Sequence, residues 1–350
     1  MKYQDLIINL KQTILDALVR LNNLKHTGSR ILFVESNEGV IIGSLTDGDI
    51  RRSLIKDKDL NKLVGEVCFR NFIHEYDHNG FIKLEGFRKQ NINILPLLRE
   101  DKTLSRIIDL KKIKSIIPIE CFIMAGGRGK RLSPLTDKIP KPMLPLDGKP
   151  IIEYNIDRLI SFGIKKIYIS VNYLGEKIQN YFGDGSSKGI EIEYIWEDSP
   201  LGTAGSLSLV DEFKSDQILL LNSDLFTDVN IEEMFLQLIS NNADMVVAST
   251  EYKVDIPYAV FECDSYKVNA FKEKPSYTYY SNAGIYLFKK ELVSKIPKKS
   301  YFDITDLMDV LMEEGMEILH SPIGGYWIDI GKPVDYKKAK EFIKRNKVEN

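Results

Sequence analysis

A chain of 350 residues with a formal net charge of −2 is long enough for two folded domains, each with its own core. A nearly neutral charge lacks the basic excess of proteins that bind nucleic acids or membrane surfaces, so we expect neither partner. Three widely spaced cysteines, no zinc-ligand spacing, no signal-peptide pattern and no apolar run near ~20 residues predict a cytoplasmic protein with reduced thiols.

The first part of the chain predicts a helix, two strands and a second helix. Apolar residues at helical spacing over residues 14–24 predict the first helix. The apolar runs 31–35 and 39–46 flank a polar turn, which predicts a β-hairpin. Asp47 or Asp49 is the expected N-cap of the helix that follows.

A fainter copy of this order follows. Residues 80–90 predict a helix, residues 93–98 predict a strand, and residues 105–110 follow a second polar turn. The run 109–120 is basic and then apolar, and we place a domain boundary within it, near Ser115. The expected domains are residues 1–115 and 116–350.

The repeated order and the sequence GSLTDGDIRR resemble a tandem pair of cystathionine-β-synthase (CBS) domains. The resemblance covers about residues 1–115. It implies that Thr46 and Asp49 contact an adenine nucleotide in the cleft between the two copies. The second copy shows no equivalent T-x-x-D, and the alternative is that the pair only packs or forms dimers.

Beyond the boundary, apolar strands alternate with helical patterns. This alternation predicts an α/β domain with a Rossmann-like, mixed and mainly parallel sheet. Ligands of such sheets bind at the carboxyl ends of strands, so the loop after the first strand and Asp224 are expected to face one site. The expected strands are 119–124, 166–171, 190–197 and 217–224, and the expected helices are 151–163, 174–183, 203–213 and 231–240.

A glycine-rich loop follows the first of these strands. Glycines let backbone N–H groups approach an anion, and nearby cations neutralise its charge. A Rossmann fingerprint would require glycine where Leu132 stands, and a Walker A loop would require Ser or Thr where Arg131 stands. The loop therefore predicts a triphosphate cradle of another type, formed by Gly126, Gly127, Gly129, Lys130, Arg131 and Lys141.

The run AGGRGKRLSPLTDKIPKPMLPL, residues 125–146, resembles the signature loop of sugar-1-phosphate nucleotidylyltransferases. The resemblance implies that Ala125 and the glycines bind the nucleotide and that Arg131 and Lys141 are catalytic. It also implies that Asp224, beside the nucleotide, and Asp329 hold Mg²⁺. Two carboxylates plus phosphate oxygens are ligands that Mg²⁺ prefers.

Two further segments concern the base and the sugar. The resemblance implies that Glu197 and Gly202, in EDSPLGTAGSL, contact the base. Glutamate only accepts hydrogen bonds and guanine offers two neighbouring donors, which favours GTP, and PLGTAG is similar to mannose-1-phosphate guanylyltransferases. The implied sugar-phosphate residues lie in FKEKP and NAGIYLF and are Glu273, Lys274, Asn282 and Gly284.

The resemblance implies transfer of a nucleotidyl group from an NTP to a sugar 1-phosphate, with release of pyrophosphate. The CBS fusion resembles glucosamine-1-phosphate guanylyltransferases of bacterial legionaminic acid pathways, although no residue identifies the sugar. Three alternatives stay open: another base, another phosphorylated acceptor such as phosphocholine, and a non-catalytic regulatory homologue. We also expect a homo-oligomer.

Overall fold

The structure is a computed structural model that describes residues 3–24, 30–78 and 80–348. Two compact units make up the chain, Met1–Ile116 and Ile117–Asn350. The boundary expected near Ser115 lies beside this division. The polar break after the first helix, at residues 26–29, lies outside the described residues.

The described part of the first unit contains three small sheets and short helices. Its helices are α1 (Ile14–Asn23), α2 (Asp47–Asp57), α3 (Val64–Val67) and α4 (Glu85–Lys89). Its strands are β1 (Ile7–Asn9), β2 (Ile31–Glu35), β3 (Ile41–Thr46), β4 (Glu75–Tyr76), β5 (Ile82–Lys83), β6 (Ile94–Leu98), β7 (Leu104–Asp109) and β8 (Ser115–Ile116).

The same topology occurs twice in this unit. Strand β2 pairs parallel with β1 and antiparallel with β3, and β6 pairs parallel with β4 and antiparallel with β7. The strand pairing is therefore repeated and the predicted hairpin is confirmed, but among the described residues no helix follows β7 as α2 follows β3. The helix predicted over residues 80–90 is shorter than expected, because β5 occupies its first part and only α4 is helical.

Strand β6 contributes to two hydrophobic cores of the first unit. All five of its residues are buried. Ile94 and Leu98 pack into the core that contains the first sheet, whereas Leu95 and Leu97 pack into a second core with β5 and β8. A continuous apolar run thus buries both faces of one strand, as expected for a strand covered on two sides.

The N-cap of α2 is Thr46, so the prediction of Asp47 or Asp49 is wrong. Thr46 keeps an extended backbone (φ −117°, ψ 166°), and Asp47 is already helical. The Asp49 N–H donates to Thr46 Oγ1 at 3.3 Å, and the Thr46 N–H donates to Asp49 Oδ2 at 2.8 Å. Two otherwise unsatisfied N–H groups are thereby paired in a capping box.

The second unit is an α/β domain. Its helices are α5 (Ile151–Ser161), α6 (Gly175–Phe182), α7 (Ile231–Ser240), α8 (Ile304–Glu313) and α9 (Pro333–Val348). Its strands are β9 (Glu120–Met124), β10 (Pro145–Leu146), β11 (Lys149–Pro150), β12 (Lys166–Val171), β13 (Glu191–Trp196), β14 (Gln217–Asn222), β15 (Leu225–Thr227), β16 (Met245–Asp255), β17 (Val260–Asp264), β18 (Lys267–Lys272), β19 (Ser276–Lys289), β20 (Ile318–Pro322) and β21 (Trp327–Asp329).

A seven-stranded sheet forms the centre of this unit, in the order β13-β12-β9-β14-β19-β16-β20. Strand β19 runs antiparallel to both of its neighbours, and the other adjacent pairs are parallel. The predicted mixed, mainly parallel sheet is confirmed. Strands β9 and β14 are neighbours, so their carboxyl ends lie side by side.

The helix predicted over residues 203–213 is wrong. Only a short 3-10 turn forms there, at Gly205–Leu209. The N–H groups of Ala204 and Gly205 donate to the carbonyl of Phe302, at 2.9 and 3.0 Å, and not to a preceding turn. A partner about 100 residues away along the chain therefore takes the hydrogen bonds that a helix would have used.

Two expectations from the sequence concerned membrane-spanning segments and the state of the cysteines. Among those residues, no helix is both long and apolar enough to cross a bilayer. Cys68, Cys121 and Cys263 are free thiols. Burial raises the pKa of the Cys121 thiol well above its ordinary value, so this thiol stays protonated at neutral pH.

Loss of the Thr46 hydroxyl is expected to destabilise the first unit. Thr46→Ala leaves the Asp49 N–H without its acceptor, so we expect the free energy of unfolding to fall by about 1 kcal/mol. Urea unfolding measured by circular dichroism gives the difference. Thr46→Ser keeps the hydroxyl and is the matched control, and equal unfolding midpoints for the two variants would contradict the prediction.

Candidate active site

The glycine loop leaves the central strand β9 and forms one wall of a cavity of about 900 Å³. Gly129 adopts a positive φ of 62°, and a Cβ atom there would lie 2.9 Å from Cβ of Lys141. Only glycine permits this approach. Gly127 has no atom within 4 Å of the position of a Cβ, so this part of the loop borders open space.

Most of the residues predicted for the nucleotide line this cavity. Ala125 is buried beneath it, where its N–H donates to the carbonyl of Ser170 at 3.0 Å. This bond anchors the start of the loop, and contact of Ala125 with a nucleotide stays a prediction. The predicted residues that line the cavity are Gly126, Gly127, Gly129, Arg131, Lys141, Glu197, Gly202 and Asp224.

An ion pair joins the loop region to the neighbouring strand. Lys141 lies in a 3-10 turn, Lys141–Met143, and its Nζ donates to Oδ2 of Asp224, just after β14. The two side chains are only 13% and 17% exposed. The other oxygen of Asp224, Oδ1, is buried and has no hydrogen-bond donor. A buried carboxylate oxygen without a partner is costly, so this atom is suited to bind a cation.

Asp329 is brought to the same place by strand pairing. Strand β21 pairs with β15, which sets Asp329 opposite Leu225, and the Ile330 N–H donates to the Asp224 carbonyl at 3.2 Å. The pKa of the Asp329 carboxyl is raised, first by partial burial and then by the charge of Asp224. The carboxylates of Asp224 and Asp329 therefore repel each other when both are ionised.

Two cations oppose that shift. Lys141 and Arg131 lower the pKa of the Asp329 carboxyl, although burial and Asp224 outweigh them. Two acids and two cations thus lie within electrostatic reach of one another at the carboxyl end of β14. Asp224 and Asp329 could hold a Mg²⁺ ion that takes its remaining ligands from phosphate and water. Within the described residues, no group of three or more His, Cys, Asp or Glu side chains could hold a metal alone.

The segment after β13 forms a second wall. Glu197 is only 9% exposed, and its Oε2 accepts the Leu201 N–H at 3.1 Å. Its Oε1 lies beside the glycine loop, 3.1 Å from the position of a Cβ atom at Gly126. Asn172 fixes the backbone by donating from Nδ2 to the Glu197 carbonyl at 2.6 Å. The carboxylate is therefore held in one orientation at the cavity wall.

Sequence reasoning missed a third wall, which contains Tyr301 and Asp303. The Phe302 N–H donates to the Leu201 carbonyl at 2.9 Å, so the two segments lie side by side. A Cβ atom at Gly202 would lie 2.7 Å from the Phe302 oxygen. Asp303, the acid just before α8, is a residue type that often starts a helix. Nothing near it in the sequence indicates that this segment lies beside Leu201.

The predicted sugar-phosphate residues divide into two pairs. Asn282 and Gly284 lie in β19 beside β14, and a Cβ atom at Gly284 would lie 2.5 Å from Nδ2 of Asn222, which lines the cavity. Glu273 and Lys274 lie exposed between β18 and β19 and are not among the described residues that line the cavity. The role of all four at the sugar phosphate stays a prediction.

The predicted regulatory residues are engaged with each other. Thr46 Oγ1 donates to Asp49 Oδ2 at 2.6 Å within the capping box of α2. A separate cavity of about 320 Å³ in the first unit is lined by other side chains, among them Phe33, Ser44 and Phe69. Contact of Thr46 and Asp49 with a nucleotide stays a prediction.

Comparison with known proteins gives a family match within the second unit. The nucleotidyl transferase family matches residues 120–346. The mannose-1-phosphate guanylyltransferase catalytic subunit beta of Danio rerio is 31% identical over 226 residues, which cover 62% of this chain and 62% of that protein. The match therefore spans less than two thirds of that relative's length.

Two other relatives are matched over nearly their whole length. The D-glycero-alpha-D-manno-heptose 1-phosphate guanylyltransferase of Aneurinibacillus thermoaerophilus is 32% identical over 229 residues, which cover 64% of this chain and 98% of that protein. A crystal structure from Bacillus anthracis, named as a glucose-1-phosphate thymidylyltransferase, is 25% identical with a TM-score of 0.52 and covers 64% of this chain and 94% of that one. These names include two different bases.

A side chain at Gly202 is expected to disturb the second and third walls. Gly202→Ala places a Cβ atom at a positive φ of 79° and 2.7 Å from a backbone oxygen, so the free energy of unfolding is expected to fall by at least about 1–2 kcal/mol. Gly127→Ala, where a Cβ meets nothing within 4 Å, is the matched control from the same cavity. Urea unfolding of both variants measures the difference, and equal losses would contradict the expected clash.

Proposed function

This chain belongs to the nucleotidyl transferase family, and we propose that it transfers a nucleotidyl group from an NTP to a sugar 1-phosphate. The observation that carries the proposal is that Arg131, Lys141 and Asp224 line the cavity beside the glycine loop and that Asp329, which is not among the described lining residues, interacts electrostatically with all three. A non-catalytic homologue would be free to lose such charges. Their retention favours an enzyme over a regulatory subunit.

The proposed reaction is an in-line displacement at the α-phosphorus of the NTP. A phosphate oxygen of the sugar 1-phosphate forms the new P–O bond, the bond between the α-phosphorus and its bridging oxygen to the β-phosphate breaks, and pyrophosphate leaves with that electron pair. A sugar phosphate has a second pKa of ~6 and is largely dianionic at pH 7, so no general base is required. The site must then align the reactants and neutralise their charge.

Different residues can align the reactants and neutralise their charge. Backbone N–H groups of the glycine loop bind the triphosphate, and Arg131 neutralises charge on the departing pyrophosphate. Lys141 has three donors, so it can contact a phosphate oxygen while it keeps its bond to Asp224. We assign Lys274 to the phosphate of the acceptor, together with Glu273, Asn282 and Gly284 at the sugar.

We propose Mg²⁺ as the cofactor, held by Asp224 and Asp329. The buried, unpartnered Oδ1 of Asp224 and the repulsion between the two carboxylates support this assignment. When bound, the ion supplies charge neutralisation at the phosphates. Lys141 holds Asp224 by their ion pair, and the charges of Lys141 and Arg131 limit the repulsion between the two acids.

We propose GTP as the nucleotide substrate. The names of the relatives do not decide the base, so the argument rests on Glu197. Its carboxylate is fixed at the cavity wall and accepts hydrogen bonds only, which matches the two adjacent donors of guanine and leaves thymine with a single donor to offer. Gly202 leaves room for a flat base beside it.

The CBS resemblance implies a specific acceptor and a specific ligand of the first unit, and we propose both. The acceptor would be glucosamine 1-phosphate, and the repeated sheet topology of the first unit supports a CBS pair that binds an adenine nucleotide. Another phosphorylated acceptor, such as phosphocholine, is the second candidate for this site. The sugar features at Asn282 and Gly284 favour the sugar.

Loss of the Asp224 charge is expected to stop turnover without unfolding the protein. Asp224→Asn removes a cation ligand and the partner of Lys141, so kcat is expected to fall by about 100-fold or more, the scale of a lost electrostatic contact to the transition state. Pyrophosphate release measures this. Asp216→Asn changes an exposed acid at the other end of the same strand and is the control. Near wild-type turnover in Asp224→Asn would refute the metal assignment.

The Glu197 carboxylate is expected to make GTP the preferred nucleotide substrate. Pyrophosphate release is measured for GTP, ATP, UTP, CTP and dTTP, each against a panel of sugar 1-phosphates and phosphocholine, with and without AMP. We expect GTP to be preferred, AMP to change the rate, and Glu197→Gln to reduce the preference for GTP by about tenfold, since one lost base contact is worth ~1–3 kcal/mol. Preference for UTP or dTTP in the wild type would overturn the assignment of GTP.

A further inference from the structure

An aromatic ring stands in the wall of the nucleotide cavity. Of the described residues that line it, Tyr301 is the sole aromatic one. Its side chain is 65% exposed, yet its hydroxyl donates to Asp303 Oδ2 at 2.9 Å. This bond holds an exposed ring in one orientation. A fixed, accessible aromatic face is suited to stack on another flat ring.

Asp303 connects this ring to the opposite segment. Its Oδ1 accepts from both the N–H and the hydroxyl of Thr203, at 2.9 and 3.0 Å. Burial raises the pKa of the Asp303 carboxyl, but the hydrogen bonds from Thr203 and Tyr301 outweigh it, so the net pKa is lowered and the group is ionised at neutral pH. One carboxylate thus organises residues that are about 100 positions apart.

Close packing makes these residues a single unit. A Cβ atom at Gly202 would lie 2.9 Å from Asp303 Oδ1, so the backbone at Gly202 lies directly against the carboxylate. The Thr203 hydroxyl oxygen also accepts the N–H of Ile304, the first residue of α8, at 2.8 Å. Movement of Asp303 would therefore shift both Tyr301 and the Gly202 segment.

We propose that Tyr301 contacts the nucleobase by stacking and that Asp303 is a positioning residue for Tyr301 and for Gly202–Thr203. This rests on the proposed function for the identity of the ligand as an NTP. Glu197 would then read the hydrogen-bonding edge of the base, and Tyr301 would contact its face. Because every base has such a face, Tyr301 sets affinity for all NTPs, and more for the larger purines.

The first test is direct binding to the full chain. Isothermal titration with GTP and Mg²⁺, repeated with the other NTPs, gives Kd without requiring turnover. Tyr301→Leu is expected to raise Kd for GTP about tenfold, and Tyr301→Phe, which keeps the ring, by no more than about threefold. Tyr181→Leu is the matched control, since Tyr181 is also half-exposed and donates to a carboxylate, Glu153 Oε2 at 2.8 Å, away from this cavity.

The second test separates positioning from capping. Asp303 accepts hydrogen bonds from Thr203 and Tyr301 and is also the N-cap residue of α8. Asp303→Ala removes both functions and is expected to raise Kd for GTP about tenfold. Asp303→Asn keeps an acceptor and a capping side chain, so it is expected to restore most of the affinity. A purely capping role predicts a lower melting temperature for Asp303→Ala with unchanged Kd below the transition, and that result would overturn the role of Asp303.

The outcomes distinguish this inference from the proposed function. If the wild type binds GTP but forms no NDP-sugar, the function is wrong and the Kd values still decide the role of Tyr301. If the wild type is active and Tyr301→Leu binds every NTP as tightly as the wild type does, the stacking role is wrong. If no NTP binds to the wild type, both proposals are wrong.

Discussion

The ion pair between Lys141 and Asp224 is the contact on which the site depends. It joins the turn that follows the glycine loop to the end of β14, and the pairing of β15 with β21 then adds Asp329. Both partners are largely withdrawn from water, so each charge is compensated mainly by the other. The charges of the cavity are therefore held in place before a ligand arrives.

This arrangement suits a reaction that needs alignment and charge neutralisation rather than proton transfer. Two acids and two cations interact at one end of the sheet, and the cations partly offset the repulsion between the acids. The groups proposed to contact a base lie on the two other walls, where hydrogen bonds to backbone or to each other fix Glu197 and the Tyr301–Asp303 pair. Such preorganised groups need little rearrangement as charge develops in a transition state.

Local patterns in the sequence predicted seven elements of the second unit, from β9 to α7. The apolar runs of β9, β12, β13 and β14 and the apolar stripes of α5, α6 and α7 are strong signals, because burial on a sheet or on one helix face requires that spacing. The predictions failed where a neighbouring residue or strand took the role expected from the local pattern. Thr46 replaced Asp47 and Asp49 as the cap of α2, and strand β5 shortened the helix expected at residues 80–90.

The sequence by itself determined the α/β alternation and identified the glycine loop as a candidate phosphate site and the acids Asp224 and Asp329 as candidates for a cation. Only the tertiary structure decided that Lys141 pairs with Asp224 and that Tyr301 and Asp303 line the cavity. It also turned the helical pattern after Gly202 into an irregular segment, since the N–H groups of Ala204 and Gly205 bond to the Phe302 carbonyl. Periodicity reports which face of an element is buried, but hydrogen bonds between distant segments depend on how the whole chain packs.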